Sequence, residues 1–232
     1  MVYNFFTSVL FLLISFNPTT KTTTAPKHIE NATALTETES VYNSIKMHSA
    51  SMPAMECFSI ALKGFNRLKE QGKIKKDLLT VIDFSQSSNT KRLWIIDMDT
   101  QTVLYNTLVA HGRNSGDEYA NDFSNANSSN QSSLGFYATG EIYAGKHGQS
   151  LRLDGLENGI NSNARSRGVV MHAADYVSDT FIKLHHRLGR SQGCPALPVE
   201  LTKEVVSLLK DKSCLFIYHP SKKYTATSRL AS

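Results

Sequence analysis

A mostly β domain with a few peripheral helices is the fold class this sequence predicts. Three observations carry it. From Leu78 onward the chain breaks into short apolar or β-rich runs: LLTVIDF, RLWIIDM, VLYNTLVA, LGFYATG, SLRLDGL, GVVMHAA and SCLFIY. Ser, Asn, Gly and Asp separate these runs, as turn residues separate strands. Helical spacing is confined to a stretch before the first run and one before the last. At 232 residues and 41% hydrophobic, the chain supports one large domain or two small ones with a real core.

Taken in order, FFTSVLFLLISF (residues 5–16) is a compact apolar run. It is shorter than the roughly 20 residues that span a bilayer and fits the core of a secretory signal. No Lys or Arg precedes it, and Pro26 disfavours cleavage after Ala25. Residues 1–25 are therefore expected to be an export signal, with an uncleaved membrane anchor as the alternative. No cysteine follows the run directly, which argues against lipid attachment. Residues 26–50, rich in Thr, Ser, Ala and Asn, have a linker composition. SMPAMECFSIALKGFNRLKEQG predicts a core-packing helix capped by Ser51. Met55, Phe58, Leu62 and Phe65 share its inner face, and Gly72 ends it. DMDTQT reads as a hairpin turn, and NDFSNANSSNQSS (residues 121–133) as a long polar loop. FIKLHHRL reads as a loop or a turn of helix. PVELTKEVVSLLKDK has helical spacing at Leu201, Val205, Leu208 and Leu209. No internal repeat is visible, and the domain is expected over residues 51–228.

The formal charge is +5 and the pI about 9.0. The charge is spread along the chain, with one small cluster at Lys73, Lys75 and Lys76. That excludes a nucleic-acid tail; it suits an ordinary solvated surface or an acidic envelope polymer.

Cysteine usage is more informative. An odd count in an exported protein leaves at least one thiol unpaired. Cys57, in the first helix, and Cys214, in an apolar strand, could pair, but both contexts suit small buried residues. Cys194 differs. In LGRSQGCPALP it lies between Gly193, which tolerates unusual backbone angles, and Pro195, which biases it toward an extended conformation. The flanks Arg190, Ser191 and Gln192 are polar. The stretch reads as a rigid turn that presents a sulfur.

A cysteine nucleophile needs a base, because the thiolate attacks and an ordinary thiol titrates near 8.5 (roughly). His172 ends the run GVVM and precedes Cys194 by 22 residues, room for a loop out and back to the same edge. His111, in VAHGRNSG, also ends an apolar run and is a rival. His185 and His186 are adjacent, so at most one faces the sulfur, and His147 lies in a glycine-flanked loop. The residues alone leave these open. Cys and His also ligate zinc, but no CxxC or HxxxH pair is present, and no metal or organic cofactor is expected.

MHAADYV followed by GRSQGCPALP resembles the paired signature of the murein L,D-transpeptidase catalytic domain, YkuD type, in the branch whose cysteine element reads G-R-S-x-G-C-P-A-L. DFSQSSNTKRLWIIDMDTQTVLYNTLVAHGRNSG, SSLGFYATGEIYAGKHGQSLRLDGLENG and LFIY resemble further stretches of that branch. The likeness covers most of residues 55–228. It implies a β-sandwich or barrel, an exported protein of the bacterial envelope (periplasm or cell wall) and peptidoglycan stem peptides as partners.

Residue by residue, the resemblance implies Cys194 as nucleophile and His172 as base. It implies Gly193, Ser191 and Arg190 around the oxyanion and substrate. Two positions depart from the family pattern. Gln192 stands where a second His is usual, and Ala173 where Gly often follows the first His. No carboxylate is evident to orient the imidazole, so a backbone carbonyl is expected there. The reaction implied is acyl transfer from the L-to-D bond of a tetrapeptide stem through a Cys194 thioester. A carboxypeptidase or endopeptidase using the same pair is the alternative, and an inactive wall-binding relative is a third.

Overall fold

The computed structural model describes residues 37–47, 51–146 and 148–232, together with Met1. The apolar run at 5–16, most of the expected linker and His147 lie outside the described residues. Among the described residues no helix is long and apolar enough to cross a membrane.

Among the described residues eight strands form one sheet: β1 (Leu78–Asp83), β2 (Leu93–Asp97), β3 (Thr102–Thr107), β4 (Gly135–Gly145), β5 (Gly148–Gly155), β6 (Val170–Ala173), β7 (Ala196–Leu197) and β8 (Cys214–Tyr218). Their spatial order is β3-β2-β1-β8-β4-β5-β6-β7. β1 runs parallel to β8 and β6 parallel to β7; the other pairs are antiparallel. β1 and β8 sit in the middle and are buried along their whole length. That is why LLTVID and CLFIY read as continuous apolar runs and not as alternating ones. β3, at an edge, mixes buried and exposed positions.

The two edges approach each other. Ala110, just past β3, makes an antiparallel bridge to Ala196 of β7, and Gly112 a parallel one to Ser191. The sheet is thus a nearly closed barrel, which decides between the expected sandwich and barrel.

Helix α1 spans residues 37–44. It lies within the 26–50 stretch: Val41 and Tyr42 pack on the core, Ile45 is buried, and Lys46 bridges to Thr102. The apolar residues of SVYNSI, hidden among Thr and Ser, suffice to dock it. Helix α2 (Met55–Glu70) packs Cys57, Phe58, Ala61, Leu62, Phe65 and Leu68 toward β1 and β8. At Gly64 a Cβ would lie 2.0 Å from the Phe136 ring, so the helix sits this close only with glycine there. Ser51 does not cap α2. The helix starts after Ala54, which makes no side-chain cap bond, while the Ser51 carbonyl accepts the Trp94 indole N–H at 2.7 Å. Gly72, at φ +64°, follows the helix end as expected.

Helix α3 (Asp179–His185) is capped by Ser178, whose hydroxyl accepts from the Phe181 amide. Helix α4 (Val199–Leu209) buries Thr202, Val205, Val206 and Leu209 against β4, β5 and β6. Helix α5 (Lys222–Thr227) closes the described chain. Tyr224, Ser228 and Leu230 are buried. The Tyr224 hydroxyl donates to the buried Glu157 carboxylate at 3.0 Å, which also accepts from the Phe136 amide at 2.7 Å and from the Ser228 hydroxyl. Burial raises the Glu157 carboxyl above its ordinary range, and these three donors pull it back.

Candidate active site

The short strand β7 brings the two sequence motifs together. His172 of β6 stands opposite Ala196, and Ala173 opposite Leu197. The His172 amide donates to the Pro195 carbonyl at 3.4 Å and the Ala174 amide to Leu197 at 3.0 Å. Parallel neighbours need a long crossover, and the segment through α3 supplies it. Beneath α3, Leu108, Ala110, Ala174, Val177, Leu188 and Ala196 form a small apolar cluster of their own.

Cys194 is half-buried, whereas Cys57 and Cys214 are fully buried, and all three thiols are free. The Val170 amide donates to Cys194 Sγ at 3.4 Å, and the thiol faces the Gly168 carbonyl at 3.8 Å. Burial pushes the Cys194 thiol up; the Val170 amide and the positive charge of Arg167 pull it down. Cys57 and Cys214 are pushed up by burial foremost, so both are held as neutral core thiols.

The turn before the sulfur is tightly specified. Gly193 has φ +120°. A Cβ there would lie 2.7 Å from the Gln131 carbonyl oxygen, so glycine alone fits. Ser191 organises the turn: its hydroxyl donates to the Cys194 carbonyl at 2.6 Å and accepts the Gly193 amide at 3.0 Å. The Gly193 N–H is therefore already used inside the turn. The Ser191 amide donates to the His111 carbonyl at 2.9 Å, and its carbonyl accepts from Arg113 at 2.8 Å. Arg190 turns toward the same segment. It forms an ion pair with Asp117 and donates to the Gly116 carbonyl at 3.2 Å.

His172 is 4% exposed. Its Nδ1 lies 2.9 Å from the Ala173 carbonyl, the kind of backbone partner the sequence led us to expect. A carbonyl only accepts, so Nδ1 is the donor in this bond. His111 is committed elsewhere. The Arg92 guanidinium donates to its Nδ1 at 2.7 Å, and its Nε2 donates to Gly116 at 3.2 Å. Burial first, then the nearby arginines Arg92, Arg190 and Arg187, lower its pKa to about 4, against a weaker opposing pull from the Gly116 carbonyl. His185 is exposed and its ring rests on Phe181, while His186 ends α3 at φ +60°.

Several supporting residues were missed from sequence. Ser132, buried, accepts the Gly112 amide at 3.0 Å and donates to the Gly193 carbonyl at 3.2 Å. Arg167 binds four acceptors in the 124–133 stretch. A serine in a polar loop and an arginine before a strand carry no motif that would single them out. Among the described residues no group of three or more His, Cys, Asp or Glu is arranged to hold a metal ion.

The nearly closed β barrel thus carries an imidazole on β6 and a half-buried thiol just before β7, the strand paired with it. Residues 49–218 match the family model described as the L,D-transpeptidase catalytic domain. The chain belongs to that family. No curated protein matches it. Similar solved structures include an L,D-transpeptidase from Mycobacterium smegmatis, 12% identical over 62% of this chain and 59% of that one, TM-score 0.38. Pgp2, the helical cell shape determining protein of Campylobacter jejuni (K307A mutant), is 14% identical over 74% and 61%, TM-score 0.42. An L,D-transpeptidase (Yku) from Stackebrandtia nassauensis is 12% identical over 83% and 93%, TM-score 0.38. The chain thus spans about three fifths of the first two. Family membership rests on the family model and not on these structures.

Proposed function

We propose that this chain is a peptidoglycan L,D-transpeptidase that works through a Cys194 thioester with His172 as its base. The observation that carries this reading is the β6–β7 pairing. It sets His172 beside the strand that follows Cys194, while Val170, two residues before His172, touches the sulfur through its amide. Nε2 of His172 takes the Cys194 proton. The thiolate attacks the carbonyl carbon of the third stem residue, forming a C–S bond and an oxyanion. The imidazolium returns the proton to the leaving amine as the C–N bond breaks and terminal D-alanine departs. An acceptor's side-chain amine then attacks the thioester, a new amide forms, and the thiol is restored.

The Ser191 bond occupies the Gly193 amide, so the Cys194 amide is the oxyanion donor in this reading. One such donor is worth about 3 kcal/mol of barrier. Ser191 then acts by shaping the turn, and Arg190 by anchoring it to Asp117. Residues 1–25 serve export or anchoring, which places the domain in the envelope. Incubation with purified disaccharide-tetrapeptide and mass analysis tests the reading. A crosslinked dimer with release of D-alanine supports transfer, tripeptide alone means a carboxypeptidase, and neither product sinks both.

A further inference from the structure

Arg167 directly precedes the Gly168–Val170 backbone that contacts the sulfur. Its guanidinium makes four hydrogen bonds. Nη1 donates to the Ser124 carbonyl at 2.8 Å and the Ser133 hydroxyl at 2.7 Å. Nη2 donates to the Ser129 hydroxyl at 3.1 Å and the Gln131 carbonyl at 2.7 Å. Every one of these acceptors is neutral. Among the described residues no carboxylate forms an ion pair with Arg167, although Arg152, Arg165 and Arg190 each have one. Here the N–H groups are satisfied and the charge is not cancelled.

The clamp sits directly behind the cysteine turn. A Cβ on Gly193 would meet the Gln131 oxygen at 2.7 Å and Arg167 Nη2 at 3.3 Å. The guanidinium and the carbonyl it holds are thus the wall against which Gly193 rests. Ser132, between two of the clamped residues, donates to the Gly193 carbonyl. Polar loop, glycine and sulfur-bearing turn form one connected body.

We propose that Arg167 is a positioning residue for Cys194: it clamps residues 124–133 behind Gly193 and holds an uncancelled positive charge at the turn that carries the sulfur. The proposal rests on the reading of Cys194 as the nucleophile. The charge of Arg167 acts on the thiol in the direction of ionisation, as does the Val170 amide. Other charged or titratable groups on elements packed against the turn include His172, Asp175, Tyr176, His111, Arg113, and Arg190 with its partner Asp117. Tyr176 is itself pushed up to about 12, by burial and then by the neighbouring Cys194 and Asp175.

The test is the pH profile of Cys194 alkylation by iodoacetamide, mapped by mass, with hydrogen exchange over residues 124–133. Arg167→Met should shift the profile to higher pH and slow alkylation below neutrality about tenfold, the scale of one lost charge near a protein surface. Arg167→Lys, which keeps the charge but not the fork, should hold the profile near wild type while exchange over 124–133 rises. Paired Ser129→Ala and Ser133→Ala substitutions should do the same without touching the arginine. A wild-type profile in Arg167→Met, or unchanged exchange in Arg167→Lys, overturns the proposal; should Arg167→Met fail to fold, the lysine and serine variants decide it. Failure of the nucleophile reading shows separately, as wild-type protein in which a carbapenem leaves Cys194 unacylated.

Discussion

Replacing Gly193 with alanine tests whether the turn before the sulfur is as rigid as it looks. At φ +120° an L-residue costs about 1–3 kcal/mol of backbone strain. The new methyl would also start 2.7 Å from the Gln131 carbonyl oxygen. That oxygen cannot retreat freely, because Arg167 holds it at 2.7 Å. Overpacking of this kind adds about 1–3 kcal/mol, for a total of roughly 2–6 kcal/mol. Gly159 supplies the control. It has φ +74° with nothing within 4 Å of its missing Cβ, so alanine there brings backbone strain alone, about 1–2 kcal/mol. Urea unfolding of both variants, at constant slope, gives the two losses. Alkylation of Cys194 in the folded Gly193→Ala protein should also slow, since the turn must shift. Equal losses in the two variants, with wild-type alkylation in Gly193→Ala, would refute the reasoning.

Cys194→Ala should abolish thioester formation and turnover, whereas Cys57→Ala and Cys214→Ala should keep activity at reduced stability; an active-site adduct mapped to Cys57 or Cys214 contradicts the assignment. His172→Ala should slow turnover about a hundredfold or more, and His185→Ala and His186→Ala far less; a His172→Ala enzyme with normal turnover and alkylation removes it as the base. Acid should destabilise the fold through His111. Its folded pKa, about 4, lies below the ordinary value of 6.5, so the unfolded chain binds the proton first and stability falls between those pH values. The loss is on the order of 3 kcal/mol, read from urea midpoints against pH, and His111→Gln should flatten that slope. Alkali should act in the opposite sense through Cys57 and Cys214. Their raised pKa values keep them protonated in the fold while unfolded thiols ionise, so stability should fall above about pH 8.5, and the double alanine variant should lose that decline.

The strands were legible because burial writes itself into composition. LLTVID and CLFIY are apolar throughout because both faces of β1 and β8 are covered. β7 was not legible. Two residues bracketed by Pro195 and Pro198 carry no periodicity, and the bridges they make depend on a partner 86 positions away, from Ala110 to Ala196. Helix α1 is hard to see in the sequence because its apolar residues are diluted by Thr, Ser and Glu. Local context singles out Cys194, His172 and His111 alike; what distinguishes the two histidines is tertiary, since Arg92 reaches His111 across 19 positions of sequence. Arg167 lay outside any motif, since its meaning comes from four oxygens contributed by a loop more than 30 residues earlier.

The bridge between Ala110 and Ala196 limits how a peptide can arrive. The Ala110 amide donates to the Ala196 carbonyl at 2.9 Å, and the Ala196 amide returns a bond at 3.4 Å. On its other side β7 is already paired with β6. Neither flank of β7 offers the open row of amides and carbonyls that captures an extended peptide by strand addition. Under the proposed function, a stem peptide would have to reach the sulfur across the rim of the barrel, with its backbone recognised by loops and side chains. Selectivity is thereby handed to the segments around the rim, where sequence can change without disturbing the sheet.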